Sequence, residues 1–274
     1  MLFNTLTLKN TLQTSGILLT GALISSSAFA QATFLIWPIY PKIEAQEKAT
    51  AVWLQNTGKT DAMIQVRVFE WGQEHYKDQY AEQNTIIPSP PVTRIKAGEK
   101  HMLRLTRSEQ TTEGKEQAYR VIVDELPIKL NQDDTQTASK VNFQMRYSIP
   151  LFAYGKGIGS GLNESSQKIN EKNPLAKPVL TWWTGNNAQG KTELFIKNSG
   201  RKFARLSGIK LQPDATQVAF DQVSFGYVLA QSTMKFEIDT KQLQRIQQQN
   251  ILYAVDSSGI KTEVIEMRRE EAGR

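Results

Sequence analysis

The segment V-N-F-Q-M-R-Y-S-I-P-L-F, residues 141–152, decides the fold. Val141, Phe143, Met145, Tyr147, Ile149 and Leu151 alternate with Asn142, Gln144, Arg146, Ser148 and Pro150. Successive side chains of a strand point to opposite faces, so this period sets an apolar row against a largely polar one. Pro150 has no N–H to give a ladder, which suits a sheet edge better than a sheet centre. A long apolar edge is an aggregation hazard that proteins ordinarily blunt, and nothing blunts this row. Two readings follow: an ordinary half-buried strand, or a strand kept for pairing with another protein by strand addition.

Upstream, Lys9 is the sole charged side chain before an apolar run through Ile17, Leu18, Leu19 and residues 22–24. Three serines and Ala28-Phe29-Ala30 follow. A basic start, a short apolar centre and small residues at the end predict a signal peptide over residues 1–30, cut before Gln31. The run is too short and polar to span a bilayer well, and no later stretch has the length, so stable membrane insertion is not expected.

About 244 residues remain, enough for two ordinary domains. There is no cysteine, which removes disulfides, thiol catalysis and thiolate metal sites; an exported chain of this kind is held by its cores alone. Formal charge is +6, or +5 without Lys9, and the pI is near 9.3. In an exported protein that excess suits carboxylates, acidic proteins or anionic surfaces, or solubility alone, rather than nucleic acid.

Short runs rich in β-branched and aromatic residues recur at 49–55, 64–69, 101–105, 119–123 and 141–152. Turn clusters such as Asn56-Thr57-Gly58 separate them, which predicts an antiparallel sandwich. Pro88-Ser89-Pro90-Pro91 must interrupt a sheet, and a cis bond is plausible there. Residues 155–173, opening with G-K-G-I-G-S-G, predict a hinge or long loop. The glycines do not fit a phosphate loop, because Ser160 and Leu162 stand where glycines are required. A second strand-rich block follows over residues 174–274, with candidates at 179–183, 191–197, 204–211, 235–238, 251–256 and 264–267. One helical turn is expected within 243–250, and the charged tail 268–274 is expected to fray. Asn56-Thr57-Gly58 and Asn198-Ser199-Gly200 each end an early strand of their block, a faint echo between two sandwiches.

No catalytic constellation emerges. His75 and His101 are the only histidines, and neither has a ligand at metal spacing. Asp124-Glu125 and Asp133-Asp134 are adjacent pairs, and neighbours on a strand face apart. Neither G-x-S-x-G nor H-E-x-x-H occurs. No enzyme, cofactor or metal is expected. The tryptophans at 37, 53, 71, 182 and 183 keep open a carbohydrate-binding protein, and the β-sandwich texture an exported adhesin.

Four pieces of the chain resemble the periplasmic chaperones of the chaperone–usher pilus pathway. They are I-E-A-Q-E-K-A-T-A-V-W-L-Q-N (43–56), P-P-V-T-R-I-K-A-G-E-K-H-M-L-R-L (90–105), Y-R-V-I-V-D-E-L-P (119–127) and the 141–152 segment. The resemblance covers most of residues 31–154 and is weak over 174–267. It implies an all-β chain: two immunoglobulin-like β-sandwich domains arranged in an L, at 31–154 and 174–274, after the cleaved signal peptide. It also implies a periplasmic location, no enzymatic activity, and two partners: pilus subunits and an outer-membrane usher.

In the best-known branch an arginine of the first strand and a lysine late in the donated strand grip the subunit's C-terminal carboxylate. Those positions read Tyr40 and Pro150 here, so the chain looks closer to the archaic branch typified by Csu pili. A subunit of this pathway lacks its last strand and leaves an open groove with an unpaired edge, costly in water. Val141, Phe143 and Met145 align with the donated residues, and Tyr147 and Ile149 extend the row. Each fully buried aliphatic or Phe side chain contributes roughly 1.5–3 kcal/mol gross. A groove sets side-chain parity but not register, and a charged anchor would set it. Arg120 is the first candidate, because it interrupts an apolar strand beside the donor and a guanidinium fork suits a carboxylate. Lys42 and Arg146 are the weaker candidates. The alternative for Arg120 is an internal ion pair. By the resemblance Pro90, Pro91 and Arg104 are structural.

Overall fold

The computed structural model describes residues 34–127, 144–220, 223, 225–259 and 261–270. All of these belong to the unit Gln31–Arg274. The expected signal peptide, and Val141 and Phe143 of the expected donor row, lie outside the described residues. The chain is mostly β-strand, with two short helices among the described residues.

The first block has ten strands: β1 (Phe34–Trp37), β2 (Lys42–Ile43), β3 (Ala49–Asn56), β4 (Ala62–Glu74), β5 (Lys77–Glu82), β6 (Ile86–Ser89), β7 (Val92–Ile95), β8 (Lys100–Arg107), β9 (Glu116–Leu126) and β10 (Arg146–Tyr154). A four-stranded sheet runs β1-β3-β8-β6, and a six-stranded sheet runs β2-β10-β9-β4-β5 with β7 beside β4. One apolar core lies between them. Val52, Leu54, Leu103 and Leu105 come from one sheet, and Ile64, Val66, Val121, Val123, Ile149 and Leu151 from the other. The alternation read from the sequence produces this directly: Val52, Leu54 and Asn56 of β3, Leu103, Leu105 and Arg107 of β8, and Tyr119, Val121 and Val123 of β9 are buried. Between β6 and β7 the chain leaves the first sheet and joins the second at the proline run. The Ser89–Pro90 peptide is cis, as is Trp37–Pro38, and the Pro91 carbonyl accepts the Val66 N–H at 2.7 Å.

The interior arginine of this block is not Arg104. Arg104 is exposed, because it points outward from β8, while Leu103, Leu105 and Arg107 point inward. The Arg107 guanidinium is buried. Its Nη1 reaches Thr111 Oγ1 and the Tyr154 carbonyl, and its Nη2 faces the carbonyls of Glu44, Ala45 and Glu47 and Gln110 Oε1.

The segment expected as a loop carries a helix, α1 (Glu164–Glu171). It has no apolar stripe, so its sequence does not announce it. Local bonds hold it: Asn163 and Ser166 form a capping box, and the Asn170 side chain both accepts from Gly159 N–H and donates to the Gly159 carbonyl. The preceding Gly155 is obligatory, since a Cβ there would lie 1.9 Å from the Thr112 carbonyl oxygen.

The second block contains β11 (Leu180–Asn186), β12 (Thr192–Asn198), β13 (Ala204–Lys210), β14 (Gly226–Val228), β15 (Ser232–Glu237), α2 (Thr240–Ile246), β16 (Ile251–Asp256) and β17 (Glu263–Arg269). The expected helical turn therefore begins three residues earlier, at Thr240, after the Asp239 cap. Of the tail expected to fray, Arg268 and Arg269 are the end of strand β17, paired with β11 and β16, and residues 271–274 lie outside the described residues. Where the sequence predicts a second pair of sheets, the seven strands form one ladder, β14-β13-β16-β17-β11-β12-β15. The parallel pairing of β11 with β17 joins them. The sheet wraps a core that includes Trp182, Leu194, Ile196, Phe225 and Leu252.

The echo between the blocks is structural. Asn56 is fully buried; its Oδ1 accepts Gly58 N–H, and its Nδ2 donates to the carbonyls of Thr60 and Ile95. Asn198 does the same with Gly200 N–H and the carbonyls of Lys202 and Val228.

Candidate functional site

β10 is a strand of two halves. β9 pairs with its full length, but β2 covers its other edge only at Phe152 and Ala153. From Arg146 to Leu151 that second edge carries no strand among the described residues. Phe152 N–H points toward β2, where it meets the Pro41 carbonyl, whereas the Met145 carbonyl points toward β9 and accepts from Glu125 N–H. By strand alternation, Arg146 and Ser148 offer N–H and C=O to the open edge, and Pro150 offers only C=O.

The apolar row of the same strand is divided at Tyr147. Ile149 and Leu151 are buried in the first core, so Ile149 serves its own domain and the row available to a guest stops short of it. Tyr147 is half-buried at the boundary. Its ring meets Phe34 edge to face at 6.4 Å, and its hydroxyl accepts the Phe34 N–H at 3.0 Å. Met145 is 41% exposed, the first residue of the row beyond the core.

The three anchor candidates have different surroundings. Lys42 is paired with Glu44 at 2.7 Å and donates to Ser160 Oγ at 2.9 Å. Arg146 is paired with Asp124, which also holds Arg67 at 2.7 Å. These two arginines hold the Asp124 carboxyl below its ordinary range, against the opposing effect of burial. Arg120 has no carboxylate partner among the described residues, and the Tyr80 hydroxyl is a hydrogen-bond partner. Its guanidinium carbon lies 3.7 Å from the Trp71 ring centroid and 5.2 Å from that of Tyr227, and its Nε is buried without a hydrogen bond. β9 presents Arg120 on the face away from the core, with Pro150 beside it on β10 and Phe69 on β4.

A third apolar cluster joins this face to the second block: Trp71, Phe152, Tyr154 and Ile158 meet Phe203, Tyr227 and Leu229. Phe152 and Phe203 stack with centroids 3.8 Å apart. Tyr40, at the usual arginine position, lies under Arg205 at 5.3 Å and lines a cleft between the blocks with Lys42, Phe152 and Phe203. Glu116 accepts the Phe203 N–H at 2.8 Å, and its carboxyl is fully buried beside the Tyr154 hydroxyl. Burial pushes its carboxyl up to about 7, against the pull of Lys202 and of that hydrogen bond. The sequence singled out neither Glu116 nor the Trp71–Tyr227 pair, since their partners are more than 80 residues away.

The tryptophans do not converge on one site. Trp71 and Trp182 are buried, Trp37 stacks on Trp53 outside the four-stranded sheet, and Trp183 stacks on Phe195. No helix among the described residues is long and apolar enough to cross a membrane.

Comparison with known proteins agrees with this geometry. Residues 41–158 match the model of the pili and flagellar-assembly chaperones, PapD N-terminal domain. The chain is similar to the chaperone in the CsuC–CsuE chaperone–tip adhesion subunit pre-assembly complex from the archaic chaperone-usher Csu pili of Acinetobacter baumannii. Identity is 62%, covering 88% of this chain and all of that one, with a TM-score of 0.73. The E. coli chaperone DraB (13% identity, 86% and 97% covered, TM-score 0.53) shares the fold. So does a chain of the complex of the Salmonella enterica SafA pilin with the SafB chaperone (12%, 88% and 98%, 0.56). The search of curated proteins gives no match. A family model matched over residues 41–158 and 62% identity over most of the length together mean that the chain belongs to the pilus-assembly chaperone family.

Proposed function

We propose that this protein is a periplasmic chaperone that binds, shields and delivers pilus subunits to an outer-membrane usher by lending them the open edge of β10. In this reading residues 1–30 are removed on export. Residues 31–154 and 174–274 form two immunoglobulin-like domains in an L, joined by a hinge segment, 155–173, that carries α1.

The observation that carries the mechanism is the coincidence, among the described residues, of an edge that no strand covers with a cation that no carboxylate neutralises. A subunit strand added along Arg146 and Ser148 satisfies backbone groups on both sides. Val141, Phe143 and Met145 continue the parity of the core row and fill the subunit's groove, with Tyr147 closing the boundary. Each is worth roughly 1.5–3 kcal/mol gross, before ordering costs. That is enough to hold a subunit and small enough for a better-fitting strand to displace. Pro150 offers no donor, so strand addition ends in its row, and Arg120 stands in the same row to receive the terminal carboxylate. Lys42 and Arg146, already paired, contribute less.

The test is co-purification of the exported chain with the CsuE subunit of A. baumannii. Wild type should retain it and Arg120→Ala should not. Failure of wild type to retain CsuE, or full retention by the variant, would falsify the anchor and strand-lending reading.

A further inference from the structure

A guanidinium can be held in place by its edges or by its faces. A carboxylate partner takes the edges and consumes the N–H donors; an aromatic ring takes a face and leaves the N–H edges free. Arg120 is held by faces, with the neutral Tyr80 hydroxyl as a hydrogen-bond partner at its edge. Trp71 lies 3.7 Å from the guanidinium carbon, and Tyr227 closes the corner at 5.2 Å while meeting Trp71 edge to face at 5.1 Å.

Tyr227 comes from β14 in the second block, and it is itself located from the first. Gln73, two residues beyond Trp71, donates Nε2 to the Tyr227 carbonyl at 3.0 Å and accepts the Leu229 N–H at 2.8 Å. Asp78 accepts from Trp71 Nε1 at 3.0 Å and from Gln73 Nε2 at 2.9 Å. Asp78 thus fixes the indole and, through Gln73, the backbone that carries Tyr227. An arginine side chain in water would sample many rotamers before meeting a carboxylate, and this corner removes that freedom beforehand.

We propose that Tyr227 is a positioning residue for subunit capture: with Trp71 it orients the Arg120 fork, so that the second block takes part in reading the subunit's C-terminal carboxylate. This rests on Arg120 being the anchor.

The experiment compares the affinity of the full exported chain for CsuE carrying its native C-terminal carboxylate with that for CsuE ending in a C-terminal amide. The wild-type chain, Tyr227→Phe, Tyr227→Leu and Arg120→Ala are each measured. The expected result is a wild-type preference for the carboxylate that Phe keeps, that Leu reduces by roughly three- to thirtyfold, and that Arg120→Ala abolishes. If Tyr227→Leu keeps the full preference while Arg120→Ala loses it, Tyr227 is no positioning residue and the anchor stands. If Tyr227→Leu weakens both forms of CsuE equally, its role is packing and the proposal is overturned. If wild type shows no preference, or Arg120→Ala keeps it, the anchor reading falls and takes this one with it.

Discussion

Pro150 lies directly opposite Arg120 in the ladder between β10 and β9. The residue that ends the usable edge and the residue that carries the charge therefore share one row. Arg120→Ala should cost roughly 2–5 kcal/mol of subunit affinity, the range for losing one member of a desolvated charge pair. The unfolding midpoint should move little, because no carboxylate among the described residues loses a partner. Isothermal titration with CsuE and thermal unfolding of the same samples check both halves.

The two halves of β10 should answer differently to substitution. Phe143→Ser and Met145→Ser should weaken subunit retention and leave stability close to wild type. Ile149→Ala should cost about 2–4 kcal/mol of folding stability, since its side chain fills the first core. Urea unfolding beside co-purification separates them. A normal yield of CsuE with both serine variants would remove those residues from the lent row.

Arg107 ties residues 44–47, 110–111 and the end of β10 together. Truncation to alanine leaves several buried carbonyl oxygens without a donor, at a cost of about 3 kcal/mol or more. Arg107→Lys restores the charge but not the fork, and should recover only part. Arg104→Ala, on the exposed face of the same strand, should change stability by less than about 0.5 kcal/mol. Chemical denaturation of the three variants tests the ranking.

Glu116 makes the contact between the blocks sensitive to pH. Its carboxyl is raised by burial to about 7 in the folded chain, above its ordinary value of 4.5. Such a group contributes stability that is fully present below the unfolded value and is lost as pH rises through the folded one. Between pH 4.5 and 7 this contribution falls by up to ~3 kcal/mol. Glu116→Gln can still accept the Phe203 N–H and carries no charge. The variant should match wild type near pH 4.5 and melt higher at pH 8. Equal melting temperatures at pH 8 would show that the carboxylate is not penalised there.

Much of the fold is legible in short-range pattern. β3, β8, β9 and β16 follow from period-two alternation, which depends only on neighbours. The Asn56 and Asn198 turns follow from an Asx-Gly spacing, which also acts locally. β5 escaped this reading because all six of its residues are exposed, and its extension comes from pairing with β4. Helix α1 escaped because side-chain amides bonded to a glycine loop, rather than an apolar stripe, hold it.

By itself the sequence determined the apolar row from Val141 to Leu151, the proline that suits an edge, and the basic residue interrupting the strand beside it. Those are properties of residue type and parity. Only the tertiary structure decided where the row passes from the domain's own core to the open edge, and which of three cations has no carboxylate among the described residues. Core boundaries and ion pairs depend on which side chains the fold brings within a few ångströms. Asp124 meets Arg146 and Arg67, Glu44 meets Lys42, and Arg120 meets two aromatic rings, one of them more than a hundred residues away.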